Sequence, residues 1–486
     1  MTGLWQDIKL DSEHKLPLYK QISEQVEKMV YQGKLKPGTR LPSERKLADY
    51  LQVSRMTITL ANEDMKTKGI IRSQQGSGTF IMRGPRREGV STKTKWQSNF
   101  VYETDTMNHG LEAIIKFGQN SESIQLARAG TAPEIHPGIE ISECLAECLQ
   151  KHPKLIQLPS PTQGYEPLHS YMMEWLKESR LYPKKSEMMI VSGAMQGLDL
   201  ISRLFLGPGD YVIVEEPGFQ VASDAFTASG AEILRITLDK EGIKLDNLEQ
   251  LLRNFPVKFI YLNPTFHNPT GIVMSQQRRK DLLNLAKKYD VLLIEDDPTS
   301  LLYYGKKPAP PLKAMDEDGM IIYLRSFSKY LFPELRVAVV VAPEGIIANL
   351  TKIKQRIDLH SNVLTQAAVY TFLSEGRLTP HLQRVRKAYK IRVDMVQEAF
   401  SKSKAVSVQI PEGGIFAWCK LEHGFSSERL LDLVLPDVSL VPGNWMSGTG
   451  MYENYFRLAF TNPSLEQLKR GLNRIVEIID REDMKT

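Results

Sequence analysis

Between residues 189 and 341 the chain carries seven short apolar runs, each separated from the next by a polar or helix-patterned stretch. They are Met189 to Val191, Tyr211 to Val214, Glu232 to Ile236, Phe259 to Leu262, Val291 to Glu295, Ile321 to Leu324 and Val337 to Val341. Strands that alternate with helices pair in parallel and are covered on both faces, which is why such runs are apolar throughout. The pattern predicts an α/β domain with a mostly parallel seven-stranded sheet. Further on, helical periodicity marks Ile346 to Ser361, Leu364 to Ser374 and Thr379 to Ser401. Strands are expected at Ser407 to Ile410, Ile415 to Lys420 and Tyr455 to Phe460, with a closing helix from Leu465 to Glu482, which together describe a smaller α+β lobe. We place the large part at about 140–345 and the small lobe at about 346–486.

Ligands of such sheets sit at strand ends, and the loops there carry chemistry. Arg325-Ser326-Phe327-Ser328-Lys329-Tyr330-Leu331-Phe332-Pro333-Glu334-Leu335-Arg336 lies between two of the apolar runs. Ser326 and Arg336 can donate to a phosphate, and a partly desolvated Lys329 can form an imine; a solvated basic loop is the competing description. Ser192 to Gly197 passes from a strand into a helix and offers free N–H groups to an anion. Phe219 offers an aromatic face or a core side chain, and Asn268 is a donor in a loop made rigid by two Asn-Pro steps. Glu295, Asp296 and Asp297 repel one another unless a cation is near. A pyridinium meets that need, as would a metal, although no histidine accompanies the acids.

The N-terminal segment is different. Residues 1–95 hold 18 Lys and Arg against 10 Asp and Glu, whereas the remainder holds 44 against 47. A basic module on a near-neutral body points to a polyanion partner for the module alone. Leu18 to Val30 has the period of an amphipathic helix, Ser43 caps a second through Leu51, and Ser54 caps a third with Ile58, Ala61 and Met65 on one face. Arg55, Met56, Thr57 and Thr59 then stand at the start of the third helix, the part of a helix-turn-helix that meets base edges. Two strands around Gln75-Gly76-Ser77-Gly78 form a wing. A protein-docking module of three helices is the alternative, and the basic balance favours DNA. Residues 84–105 are polar and basic without apolar period and read as a linker. Cys144, Cys148 and Cys419 read as core thiols, and with no membrane-length apolar run and no signal core the expected location is the cytoplasm.

Leu41-Pro-Ser-Glu-Arg45, Val53-Ser-Arg-x-Thr57 and the Gly76-x-Gly-Thr-Phe80 wing resemble the GntR-type winged helix over 14–83. The resemblance implies that Arg45, Ser54, Arg55, Thr57, Gly76 and Ser77 face double-stranded DNA. The strand-end loops taken jointly resemble the fold-type-I aminotransferases that use pyridoxal 5'-phosphate, over about 120–486, in a domain placed at 106–486. By that resemblance Lys329 is the Schiff-base lysine, Asp296 pairs with the ring nitrogen, Asn268 bonds the ring hydroxyl and Phe219 stacks on the ring. Ser326, Arg336 and the Ala194 and Met195 amides hold phosphate, and Arg457 clamps a substrate carboxylate. A winged helix joined to this fold resembles the MocR subfamily of GntR regulators, which implies a homodimer that senses an amine or amino acid through the Schiff base. A working aminotransferase with an accessory DNA-binding domain is the second reading, and a DNA-binding protein with an inert scaffold the third. Three positions depart from the family pattern. The family's tyrosine after the ring aspartate falls on Pro298 or Thr299, the tyrosine reaching a neighbouring subunit falls on Leu158 or Pro159, and the glycine after the phosphate arginine is Ala338.

Overall fold

The computed structural model describes Trp5, residues 8–82 and residues 123–481, except 32–33, 37, 75–77, 158, 332 and 423. The chain divides into two compact units, Met1–Val101 and Tyr102–Thr486. The stretch expected as a linker lies wholly outside the described residues, as do Gly76 and Ser77.

In the first unit α1 (Leu18–Tyr31), α2 (Glu44–Leu51) and α3 (Arg55–Thr67) surround Ile22, Val26, Leu47, Ile58, Ala61 and Met65, all buried. Ser43 caps α2 by accepting from the Lys46 amide, and Ser54 caps α3 by accepting from the Thr57 amide at 3.1 Å. Such caps contribute about 1 kcal/mol each and fix where each helix begins. Gln52, at φ 52°, ends α2 in the left-handed region and turns the chain in three residues. Strands β1 (Ile71–Gln74) and β2 (Gly78–Ile81) pair antiparallel as the wing.

The second unit opens with β3 (Ile124–Gln125). Its large sheet uses β4 (Met188–Val191), β5 (Tyr211–Glu216), β6 (Glu232–Asp239), β7 (Gly242–Ile243), β8 (Val257–Leu262), β9 (Leu292–Asp297), β10 (Ile321–Ser326) and β11 (Ala338–Val341). The order is β4-β11-β10-β9-β8-β5-β6-β7. The centre is parallel, and antiparallel pairs close both edges. The sheet therefore has eight strands rather than the expected seven; two-residue β7 is too short to leave a periodic signature. Side chains alternate between two cores: Val212 and Val214 of β5 enter one, Ile213 the other. Both faces are covered, each fully buried aliphatic side chain contributing about 1.5–3 kcal/mol.

The small lobe carries β12 (Val406–Gln409), β13 (Phe416–Leu421), β14 (Val438–Ser439), β15 (Val441–Pro442) and β16 (Tyr455–Ala459), with β14 pairing with β3. The helices Glu344–Ile357 and Val363–Ser374 pack on helices of the large part. An amphipathic pattern shows that a helix has a buried face but not which layer it meets, and these two helices meet the large part. The three cysteines are buried and unpaired. Among the described residues no helix is long and apolar enough to cross a membrane.

Candidate functional site

Strand ends β4, β5, β8, β9 and β10 converge on a cavity of about 300 Å³ that the small lobe closes from the other side. Every residue carried over to the pocket by resemblance lines it: Lys329, Asp296, Asn268, Phe219, Ala194, Met195, Ser326, Arg336 and Arg457.

The three acids of β9 are separated by strand alternation. Glu295 accepts from the Leu312 and Lys313 amides at 2.7 and 2.8 Å, with Arg279 3.8 Å away, and its burial outweighs these partners and pushes it up to about 7. Asp297 accepts from Tyr323 Oη at 2.6 Å and Arg325 Nη2 at 2.9 Å, and those partners outweigh its burial and hold it below the usual range. Asp296 points the other way, into the pocket. Its Oδ2 accepts from Tyr261 Oη at 2.7 Å, while its Oδ1 is buried without a partner. Burial pushes this carboxyl up to about 7 against the help of Tyr261. The acids therefore need a cation at one position, Asp296, and among the described residues no cluster of metal-ligating side chains is present.

Lys329 follows β10 by three residues. Burial, with Arg457, Arg336 and Arg128 adding repulsion, pushes its amine down to about 8. A fraction of it is neutral, and nucleophilic, near physiological pH. Ser328 Oγ is buried without a partner, and Ser326 Oγ accepts from the Ser328 amide at 3.2 Å. Gly193, at φ 85°, precedes the helix Ala194–Phe205, whose first amides have no partner within the helix. A Cβ at Gly193 would meet Arg336 Nη2 at 2.4 Å, so glycine is what lets that guanidinium lie over the loop, where it donates to Ser192 O at 3.2 Å.

Asn268 is held by its own amide on Asn263 Oδ1 at 2.8 Å, and its Oδ1 accepts from Arg457 Nη1 at 3.1 Å. That leaves its Nδ2 to donate. Arg457 in β16 also donates to Ala127 O at 2.9 Å, lies 4.2 Å from the Phe416 ring, and keeps Nε buried without a partner. Burial lowers its pKa to about 9, so it remains cationic at neutral pH. Phe219 is half-buried on the wall. Thr299, one of the two positions on which the family's tyrosine falls, is buried with Oγ1 unpartnered; Pro159 is exposed, and Leu158 lies outside the described residues.

The pocket fits pyridoxal 5'-phosphate in its donor set: an unpartnered carboxylate oxygen for a protonated ring nitrogen, hydroxyls with first-turn amides and a guanidinium for phosphate, and an amine for a carbonyl. Sequence reading missed Tyr261 and Asn263. Asn263 Nδ2 donates to Asp296 O at 2.8 Å, so both residues place Asp296. Their only signal was a tyrosine and an asparagine near the end of an otherwise apolar strand.

In the first unit Arg45 is exposed in α2, and the Arg55 side chain is 75% exposed with Nε 3.6 Å from Glu44. Glu44 also accepts from Thr59 Oγ1 and Asn62 Nδ2 at 3.1 and 3.2 Å, tying α2 to α3. Ser54 Oγ lies 2.8 Å from Thr57 Oγ1, so these two hydroxyls are engaged with each other at the cap.

Residues 144–475 match the family "Aminotransferase class I and II", and residues 18–81 match "Bacterial regulatory proteins, gntR family". The chain is 36% identical to aromatic-amino-acid aminotransferase 1 of Thermococcus litoralis, over 77% of this chain and 92% of the relative. It is 30% identical to the uncharacterised HTH-type transcriptional regulator YisV of Bacillus subtilis, over 96% of each. The solved α-aminoadipate aminotransferase LysN of Thermus thermophilus, complexed with N-(5'-phosphopyridoxyl)-L-leucine, superimposes with a TM-score of 0.73 at 32% identity, over 79% of this chain and 98% of that one. A gntR-family module followed by an aminotransferase-like domain, matched end to end in a transcription regulator, places this chain in the aminotransferase class I and II family and in the MocR subfamily of GntR-type regulators.

Proposed function

We propose that the chain is a DNA-binding transcription regulator whose aminotransferase-like domain holds pyridoxal 5'-phosphate at Lys329 and senses an amine or amino acid there. The observation that carries the proposal is the unpartnered Asp296 Oδ1, buried in the same pocket as a lysine whose pKa is pushed down to about 8. When bound, the cofactor supplies a reactive carbonyl and an electron-withdrawing ring. Asp296 keeps the ring nitrogen protonated, with Tyr261 and Asn263 fixing its direction. Asn268 Nδ2 donates to the ring hydroxyl, and Arg457 gives an amino-acid carboxylate a fork of donors. Ser326, Ser328, Arg336 and the Ala194 and Met195 amides receive the phosphate. On the other unit, Arg45, Ser54, Arg55 and Thr57, with the wing residues Gly76 and Ser77, face DNA. One reader helix covers one half-site, so a homodimer completes the operator contact.

The second reading, a working aminotransferase, draws support from the enzyme relatives. Thr299 favours the sensor. With Pro298 or Thr299 where the family has a tyrosine, the ring oxygen of a bound cofactor would have Asn268 and at most a shorter-reaching hydroxyl as donors, and the proton movements needed for amino-group transfer would be less well supported. Rapid mixing of the cofactor-loaded protein with an amino acid and an oxo-acid acceptor tests this. The sensor reading expects a fast change in cofactor absorbance and much slower appearance of the transferred amino group; transfer as fast as binding favours the enzyme.

A further inference from the structure

The cofactor's groups account for one side of the pocket, and the rest of the wall has different chemistry. Phe266, Ile415, Phe416, Val441, Trp445 and Met446 are its large apolar members, and Arg128 and Gln220 carry its longer polar side chains. Asp296 is the one carboxylate among the described lining residues. A cationic side chain entering here therefore loses hydration and finds no free counter-charge. A second carboxylate would meet Arg128, whose side chain is 47% exposed and already paired with Glu334 at 3.2 Å, and the neutral donor Gln220 Nε2, so no free cation offsets its desolvation.

Part of the apolar wall is held by a buried carboxylate. Glu216 ends β5 and is 1% exposed. Its Oε2 accepts from Arg235 Nη1 at 3.0 Å, and its Oε1 accepts from the Gly448 amide at 3.2 Å, from Thr449 Oγ1 at 2.9 Å and from Ser447 Oγ. The Gly218 amide donates to Met446 O at 2.8 Å, and Tyr452 Oη donates to Glu216 O at 3.3 Å. A Cβ on Gly448 would meet the Arg235 guanidinium at 2.1 Å, so a side chain there would displace that guanidinium from its present place. The turn Gly443–Met446 is in this way fastened to the large sheet at its far end, and Trp445 and Met446 stand as a fixed wall.

We infer that the effector is an α-amino acid with an apolar side chain, received by Ile415, Val441, Trp445 and Met446, and that Glu216 is the positioning residue that makes this wall selective. The inference rests on the sensing reading above and narrows its ligand class. A fixed apolar wall rewards each methylene it covers, whereas a loose one collapses around any side chain and discriminates poorly.

The test is a titration of the full-length, cofactor-loaded protein with alanine, leucine, phenylalanine, glutamate and lysine, read by cofactor absorbance. Leucine or phenylalanine should bind at least about tenfold more tightly than alanine, with glutamate and lysine weaker than either. Glu216→Gln keeps the side chain's size but removes the charge that faces Arg235, and should shrink the leucine-to-alanine ratio severalfold; Trp445→Ala should do the same by opening the wall directly. A ratio of affinities within one variant is not moved by a general loss of folded protein. Tightest binding of glutamate or lysine, or a ratio unchanged in both variants, overturns the inference. If no amino acid alters the absorbance of cofactor-loaded protein, the sensing reading falls and takes the inference with it.

Discussion

Arg55 at the start of α3 and Arg457 in β16 carry the same guanidinium and meet their ligands in opposite surroundings. The Arg55 side chain is 75% exposed, with one loose carboxylate neighbour at 3.6 Å. Arg457 is 6% exposed, spends two nitrogens on neutral oxygens and leaves its third without a partner. An exposed cation attracts a polyanion weakly per contact and is screened by salt, so binding is built by summing many such contacts. A buried, under-partnered cation favours a single anion that completes its hydrogen bonds. The first unit is suited to a long charged polymer and the second to one small molecule.

The largest effect expected is at the pocket. Lys329→Ala should abolish covalent retention of cofactor: borohydride reduction and peptide mapping should label Lys329 in the parent and nothing in the variant. Label on another lysine would break the pocket side of the comparison. Arg457→Ala should weaken amino-acid binding by about 2–5 kcal/mol, as for loss of a buried charged partner, while the absorbance response to simple amines persists. An unchanged amino-acid titration would show that the buried guanidinium is not the carboxylate clamp.

Arg55→Ala should cost operator binding about 1–3 kcal/mol with relaxed specificity if it reads a base edge. If it only touches phosphate, the loss should be uniform across sequences and the salt slope should fall by about one. A salt titration on several sites distinguishes these. The smallest effect is one of pH. Because the Lys329 pKa is lowered to about 8 from the usual 10.5, raising pH from 6 to 8 increases its neutral fraction, and higher pH adds little. Cofactor attachment to the empty protein should therefore speed up about tenfold per unit and level off above pH 8. A rate still rising at pH 10 would mean that the amine is solvated.

Much of this was legible in the chain. Six strands of the large sheet carry runs of three or more apolar residues, and Ser43 and Ser54 mark their helices by capping chemistry that needs no tertiary information. Lys329, Asp296 and Asn268 stand at strand ends, where polar residues are conspicuous. Tyr261 was not legible, because a tyrosine inside a buried strand looks like core until its hydroxyl is seen on Asp296. The partition of the three acids follows from strand alternation, but which face holds the pocket does not. The clasp on Glu216 joins residues more than 200 positions apart, and no local pattern announces it.

In a regulator of this kind the pocket's ligand should govern the reader's grip on DNA. The most direct measurement is the affinity of full-length, cofactor-loaded protein for a DNA site selected from random sequence by that same protein, with and without saturating leucine, in the parent and in Arg457→Ala. Leucine should change the parent's affinity by about 5–150-fold, the usual range of coupling between sites, and leave the variant's unchanged. Equal affinity with and without every amino acid that alters the cofactor's absorbance would contradict it.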